Sequence, residues 1–170
     1  MMFWINFVNE HPILSSMLQF AILGTVGEIL GMYVRTKKIS MPWYIVLGKA
    51  AIWAILAVMI KYSFTGFGGF VTALTEHGML PETGRAFFIS AFMNIMFGPI
   101  MIVTHRLLDN LLERKKNWNG IKGAMLTLLW FWIPAHTVTF LLPADFRITL
   151  AALWSVVLGI IMGFFKKREA

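Results

Sequence analysis

The chain has 170 residues, 58% of them hydrophobic and 14% charged, with a formal net charge of +7 and no cysteine. These proportions exclude an ordinary soluble domain. The missing cysteine excludes disulfides, thiolate metal sites and cysteine nucleophiles together. Five separate apolar stretches account for the excess, so residues 1–170 read as a single polytopic membrane domain. The expected fold class is an all-α integral membrane protein, a bundle of about five transmembrane helices with one short interfacial segment.

The N-terminus, MMFWINFVNEHP, holds no Lys or Arg. It lacks the basic n-region of a signal peptide, so the first apolar run is expected to be retained. Phe3, Trp4 and Phe7 suit a segment at headgroup level. Helix one is predicted over residues 12–34, long enough to cross at about 1.5 Å per residue. Pro12 fits its first turn, where a missing N–H is tolerated. Gly24, Gly27 and Gly31 recur along it, and Gly27-x-x-x-Gly31 is a close-packing pattern. Glu28 shares the Gly24/Gly31 face and is expected to point at protein rather than lipid.

A basic loop with Arg35, Lys37 and Lys38 leads to helix two, predicted over 42–62, with Trp43 and Tyr44 where an interfacial belt belongs. Lys49 lies inside this helix, at a depth similar to Glu28 in an antiparallel pair. A lone charge at a helix centre costs roughly 2.5–3.5 kcal/mol on insertion scales. Two escapes are equally open: pairing with Glu28, or snorkelling of Lys49 to the interface. Residues 63–84 are too broken for a span. Phe64, Phe67, Phe70 and Leu74 fall at helical spacing, three glycines loosen the start, and Gly78 suits a cap after His77. An interfacial or partly re-entrant segment is expected there.

Helix three is predicted over 85–106. Pro99 removes the bond to the Ile95 carbonyl and should kink it. Leu107, Leu108, Leu111 and Leu112 then form one stripe, extending the helix along the surface, and Arg114-Lys115-Lys116 suits topology and lipid headgroups. Helix four, 121–142, carries Trp130, Trp132, Pro134, His136, Thr137 and Thr139. A turn at 143–146 leads into helix five, 147–165, and the tail Lys166-Lys167-Arg168. The side holding loop 35–49, loop 106–122 and the C-terminus carries twelve Lys and Arg, against Lys61, Arg85 and Arg147 on the other. That imbalance places the C-terminus in the cytoplasm and the N-terminus outside, for a multi-pass protein of the plasma membrane or, in a eukaryote, of an organelle membrane.

His11-Pro12-Ile13-Leu14 with Gly27-Glu28, and Gly98-Pro99 followed by His105-Arg106-Leu107-Leu108-Asp109, resemble motifs of the Mpv-seventeen / twenty-two-kilodalton peroxisomal membrane protein family. The spacing from Gly98 to Asp109 is that family's own, with Arg106 and Leu108 inside the motif and Thr104-His105 where the family has Trp-Tyr. Pro143, Arg147 and Trp154 resemble later family positions, and the whole is similar to a divergent, prokaryotic-type member. The resemblance implies a small pore or metabolite-permeation protein.

No zincin motif, P-loop or nucleophile elbow is present, and His11, His77, His105 and His136 are scattered. No enzyme activity, cofactor or metal is expected. Polar residues at membrane depth are the stronger clue, because they are expensive there. Gln19, Asn94 and His136 fall at a common depth of about 10–14 Å, and Glu28 with Lys49 would form a second layer. Such residues either line a solute pathway or hydrogen-bond across helices as glue. The chain is thus expected to be a channel-like or small-solute permeation protein; the alternative is a non-transporting structural membrane protein that organises partners or lipids. Its partners would be the lipid bilayer and a small-molecule or ion solute, with no nucleic acid. Five short helices leave little room for a pore, so a homo-oligomer stands level with a monomer.

Overall fold

The structure, a computed structural model, describes residues 2–168, with side chains from Trp4 to Phe164. The expectations for Phe3, Lys166, Lys167 and Arg168 concern side chains outside that set. Every element among the described residues is helical: α1 (Met2–Glu10), α2 (Pro12–Thr36), α3 (Trp43–Glu76), α4 (Arg85–Met96), α5 (Gly98–Leu112), α6 (Ile121–Thr127), a π turn (Leu128–Trp132), α7 (Ile133–Leu141) and α8 (Ala144–Arg168). Four helical stretches are long and apolar enough to cross a bilayer: Pro12–Thr36, Trp43–Glu76, Ile121–Leu141 and Ala144–Phe164. The pair α4 and α5, bent by 46°, makes a fifth if it counts as one span.

The main departure from expectation is at residues 63–84. No separate interfacial or re-entrant segment begins after Tyr62; α3 continues unbroken to Glu76. Gly66, Gly68 and Gly69 each weaken a helix by about 1 kcal/mol. Burial of Phe64 and Val71 compensates. Thr72 and Thr75 also return their hydroxyls to the carbonyls of Gly68 and Val71, at 2.8 and 2.9 Å. The helix ends where Gly78 adopts a left-handed φ of 69°. There Met79 N bonds Leu74 O and Gly78 N bonds Thr75 O, both at 2.9 Å, the Schellman pattern that satisfies last-turn carbonyls. At 34 residues, α3 rises about 51 Å, well past the ~30 Å apolar thickness of a bilayer.

The other differences are smaller. Helix three is two helices broken at Phe97, the bend expected from Pro99, and α5 runs past Arg106 to Leu112, the extension expected from the leucine stripe. Helix four contains the π turn, in which Ile133 N reaches back to Leu128 O. It sits directly before Pro134, where a backbone donor is missing anyway. The expected turn at 143–146 is largely the first turn of α8.

Contacts divide the chain into two compact units, Met1–Ala57 with Ile148–Ala170, and Val58–Arg147. In the first, α2 and α8 pack in parallel through glycines. A Cβ on Gly27 would come 2.7 Å from the Ser155 carbonyl oxygen, and one on Gly31 would come 2.5 Å from that of Gly159. Gly163 in turn lies against Gly31 and Val34. Gly27-x-x-x-Gly31 therefore faces a second pattern, Gly159-x-x-x-Gly163, and backbone meets backbone as in close-packed membrane helices. In the second unit α4 packs along α7 and α5 along α6. Gly98 lies under Leu128, whose Cδ2 would stand 2.6 Å from an added Cβ.

Candidate functional site

In the first unit Gly24 determines the local geometry. With no side chain there, the Trp53 indole lies directly on the α2 backbone and stacks with Phe20, ring centroids 6.1 Å apart. From that position Trp53 Nε1 donates to Glu28 Oε1 at 2.8 Å, while Lys49 Nζ lies 3.1 Å from Glu28 Oε2. Lys49 and Trp53 are one helical turn apart, so both reach the same carboxylate from α3. The lysine side chain is 5% exposed and the glutamate 23%, so of the two escapes open to Lys49 it takes the ion pair. Gln19 is buried on α2, and neither its amide nitrogen nor its amide oxygen has a partner among the described residues.

The second unit brings Asn94 and His136 together. Asn94 Nδ2 lies 3.1 Å from His136 Nδ1, and Nδ1 lies 3.3 Å from Asn94 Oδ1; the imidazole tautomer decides which contact is the hydrogen bond. Asn94 Nδ2 also donates to the Ser90 backbone oxygen at 2.8 Å. Ser90 Oγ and Thr137 Oγ1 each donate to the Ile133 carbonyl at 2.7 Å, next to the π turn. His136 is held between Trp132, with which it stacks at 5.0 Å, and the edge-on ring of Phe64 at 5.5 Å. Ser90, Asn94 and His136 are buried, and Thr137 is half-buried. Gln19, expected in the same layer, belongs to the other unit and takes no part in this cluster.

The same unit holds an open cleft of about 640 Å³, lined by Gly68, Gly69, Arg85, Ile89, Phe140 and Arg147 among others, with Glu82 at its edge. Its two cations are positioned differently. Arg85 donates to Thr72 Oγ1, itself bonded to the Gly68 carbonyl, and pairs with Glu82 at 3.5 Å. Arg147 spreads its guanidinium over Phe140, 5.7 Å from the ring centroid, and Nε donates to the Leu142 carbonyl at 2.9 Å.

Of the residues that carry the resemblance, Gly98 makes the contact with Leu128 and Pro99 follows the bend. His105 Nε2 faces Asp109 Oδ2 at 3.7 Å, one turn apart on α5, while Arg106 and Leu108 are half-buried. Three structural features lie outside the sequence-based expectations. Trp53 was findable, four residues past Lys49 and opposite a glycine four before Glu28. So was Gly159-x-x-x-Gly163. The grouping of Arg85 with Arg147 was not, because it depends on α3 continuing past Tyr62 to form a wall. No family model, curated protein or solved structure matches this chain.

Proposed function

We propose that this is a multi-pass membrane protein whose Val58–Arg147 unit provides a route for a small polar solute. One observation carries this reading: two interrupted helices meet at their interruptions. The break at Phe97 and the π turn Leu128–Trp132 are joined by Gly98 against Leu128. Irregular backbone at membrane depth is tolerated where it is enclosed by protein or lines an aqueous cavity. Paired discontinuous helices are a recurring way to build a solute site. Asn94 and His136 lie about one turn from the two interruptions.

The parallel packing of α2 and α8 supports five crossings. If α4 and α5 together cross once, α2 and α8 run in the same direction. If that pair enters and returns on one side, they run in opposite directions. Five crossings separate the termini, and the charge imbalance favours a cytoplasmic C-terminus. The resemblance of Gly98-Pro99 through Asp109 to the Mpv-seventeen family points to the same role.

The structural-protein reading has an observation of its own: the Asn94 amide is already satisfied inside the cluster, as glue would be. Reconstitution distinguishes the two. Proteoliposomes are challenged osmotically with urea, glycerol and, with valinomycin to carry the cation, potassium phosphate. Permeation above protein-free vesicles, reduced in His136→Ala, supports the route. No flux, with His136→Ala only less thermostable, supports glue.

A further inference from the structure

The cleft beside α3 carries an assignment that stands beside the permeation reading rather than on it, because equilibrium binding needs no transport. It gathers two guanidinium groups and one carboxylate. That carboxylate, Glu82, is largely exposed and already paired with Arg85 at 3.5 Å. Arg147 is the unusual member. It is half-buried, its cation rests on the Phe140 face, and only Nε has an acceptor among the described residues. Its terminal nitrogens stay available in a cleft that already holds a second cation. A half-buried guanidinium with open donors calls for a charged acceptor.

We propose that this cleft binds an oxyanion, a phosphate or carboxylate group, between Arg147 and Arg85. Guanidinium groups match such anions in a planar, two-point fashion that a lysine cannot reproduce. The stacked Phe140 ring fixes the plane of one guanidinium, and the chain from Arg85 through Thr72 to the Gly68 carbonyl fixes the other. The volume, about 640 Å³, suits a metabolite-sized ligand or a lipid headgroup. The wall that leaves this space is made by Gly68 and Gly69, where an added Cβ would meet nothing within 4 Å. Gly68 lies one turn from Thr72, on the side that meets Arg85, so a large side chain there would enter the cleft.

The test uses the full-length protein in phosphatidylcholine nanodiscs, with thermal unfolding followed as inorganic phosphate replaces chloride at constant ionic strength. A parallel sample in discs containing phosphatidylglycerol distinguishes the source of the anion. Wild-type protein should be stabilised by phosphate, which identifies a soluble anion, or by phosphatidylglycerol alone, which identifies a headgroup. Arg147→Gln should raise the half-saturating anion level at least about tenfold. Gly68→Leu should do the same while leaving both arginines intact. Its Cβ enters open space, so this variant remains informative if Arg147→Gln fails to fold. Stabilisation by neither anion, or stabilisation that survives in Gly68→Leu, overturns the assignment.

Discussion

Lys49 Nζ stands 3.1 Å from Glu28 Oε2, and the same carboxylate accepts from Trp53 at 2.8 Å. Removing one partner of a buried pair leaves an uncompensated charge and costs about 3–5 kcal/mol. Glu28→Gln and Lys49→Gln should therefore each lower stability steeply, and the double variant should recover part of the loss. A double-mutant cycle of unfolding in nanodiscs reads this coupling. Purely additive losses would show that the pair contributes nothing.

Asn94 and Gln19 should respond in opposite ways to the same change. Asn94→Leu strips partners from buried His136 and Ser90, an expected loss of about 1–3 kcal/mol. Gln19→Leu removes an amide with no partner among the described residues and should leave the melting temperature unchanged or higher. A fall for Gln19→Leu would mean that a bound water or solute holds the amide.

The glycines divide by what lies over them. Gly159→Ala drives a Cβ into the Gly27 carbonyl, so α2 and α8 must separate, at an expected cost of about 1–3 kcal/mol. Gly66→Ala meets open space inside α3 and should gain up to about 1 kcal/mol. Thermal melts of the two variants side by side check the contrast. Equal effects would contradict the close packing.

Five crossings make a simple labelling prediction, since the chain has no cysteine of its own. Thr83→Cys, before α4, and Asn119→Cys, after α5, should react with an impermeant thiol reagent from opposite sides of sealed vesicles. Asn119→Cys should share its side with Ser40→Cys. Labelling of Thr83→Cys and Asn119→Cys from one side would make α4 and α5 a re-entrant pair.

Much of this architecture is legible in the residues themselves. Apolar length marks the long helices, Pro99 marks the bend, and matched depth makes Glu28 one of two escapes open to Lys49. Asn94 and His136 were legible in the same way, as polar groups at equal distance from helix ends. Residues 63–76 were not, because glycine content lowers helix propensity locally while the burial of Phe64 and Val71 that outweighs it is tertiary. The π turn was hidden for a similar reason: Pro134 announces a missing donor but not how the preceding turn widens. That the Gln19 amide has no partner among the described residues was not legible either, because depth along a helix axis says nothing about which groups a side chain meets.

The most direct test of the central claim is solute flux through purified protein in sealed liposomes, compared between wild type and His136→Ala. Permeation above protein-free vesicles is expected for at least one of urea, glycerol and phosphate, with a slower rate in the variant at equal protein incorporation. Vesicles no more permeable than protein-free ones, with fully folded wild-type protein in the membrane, would contradict it.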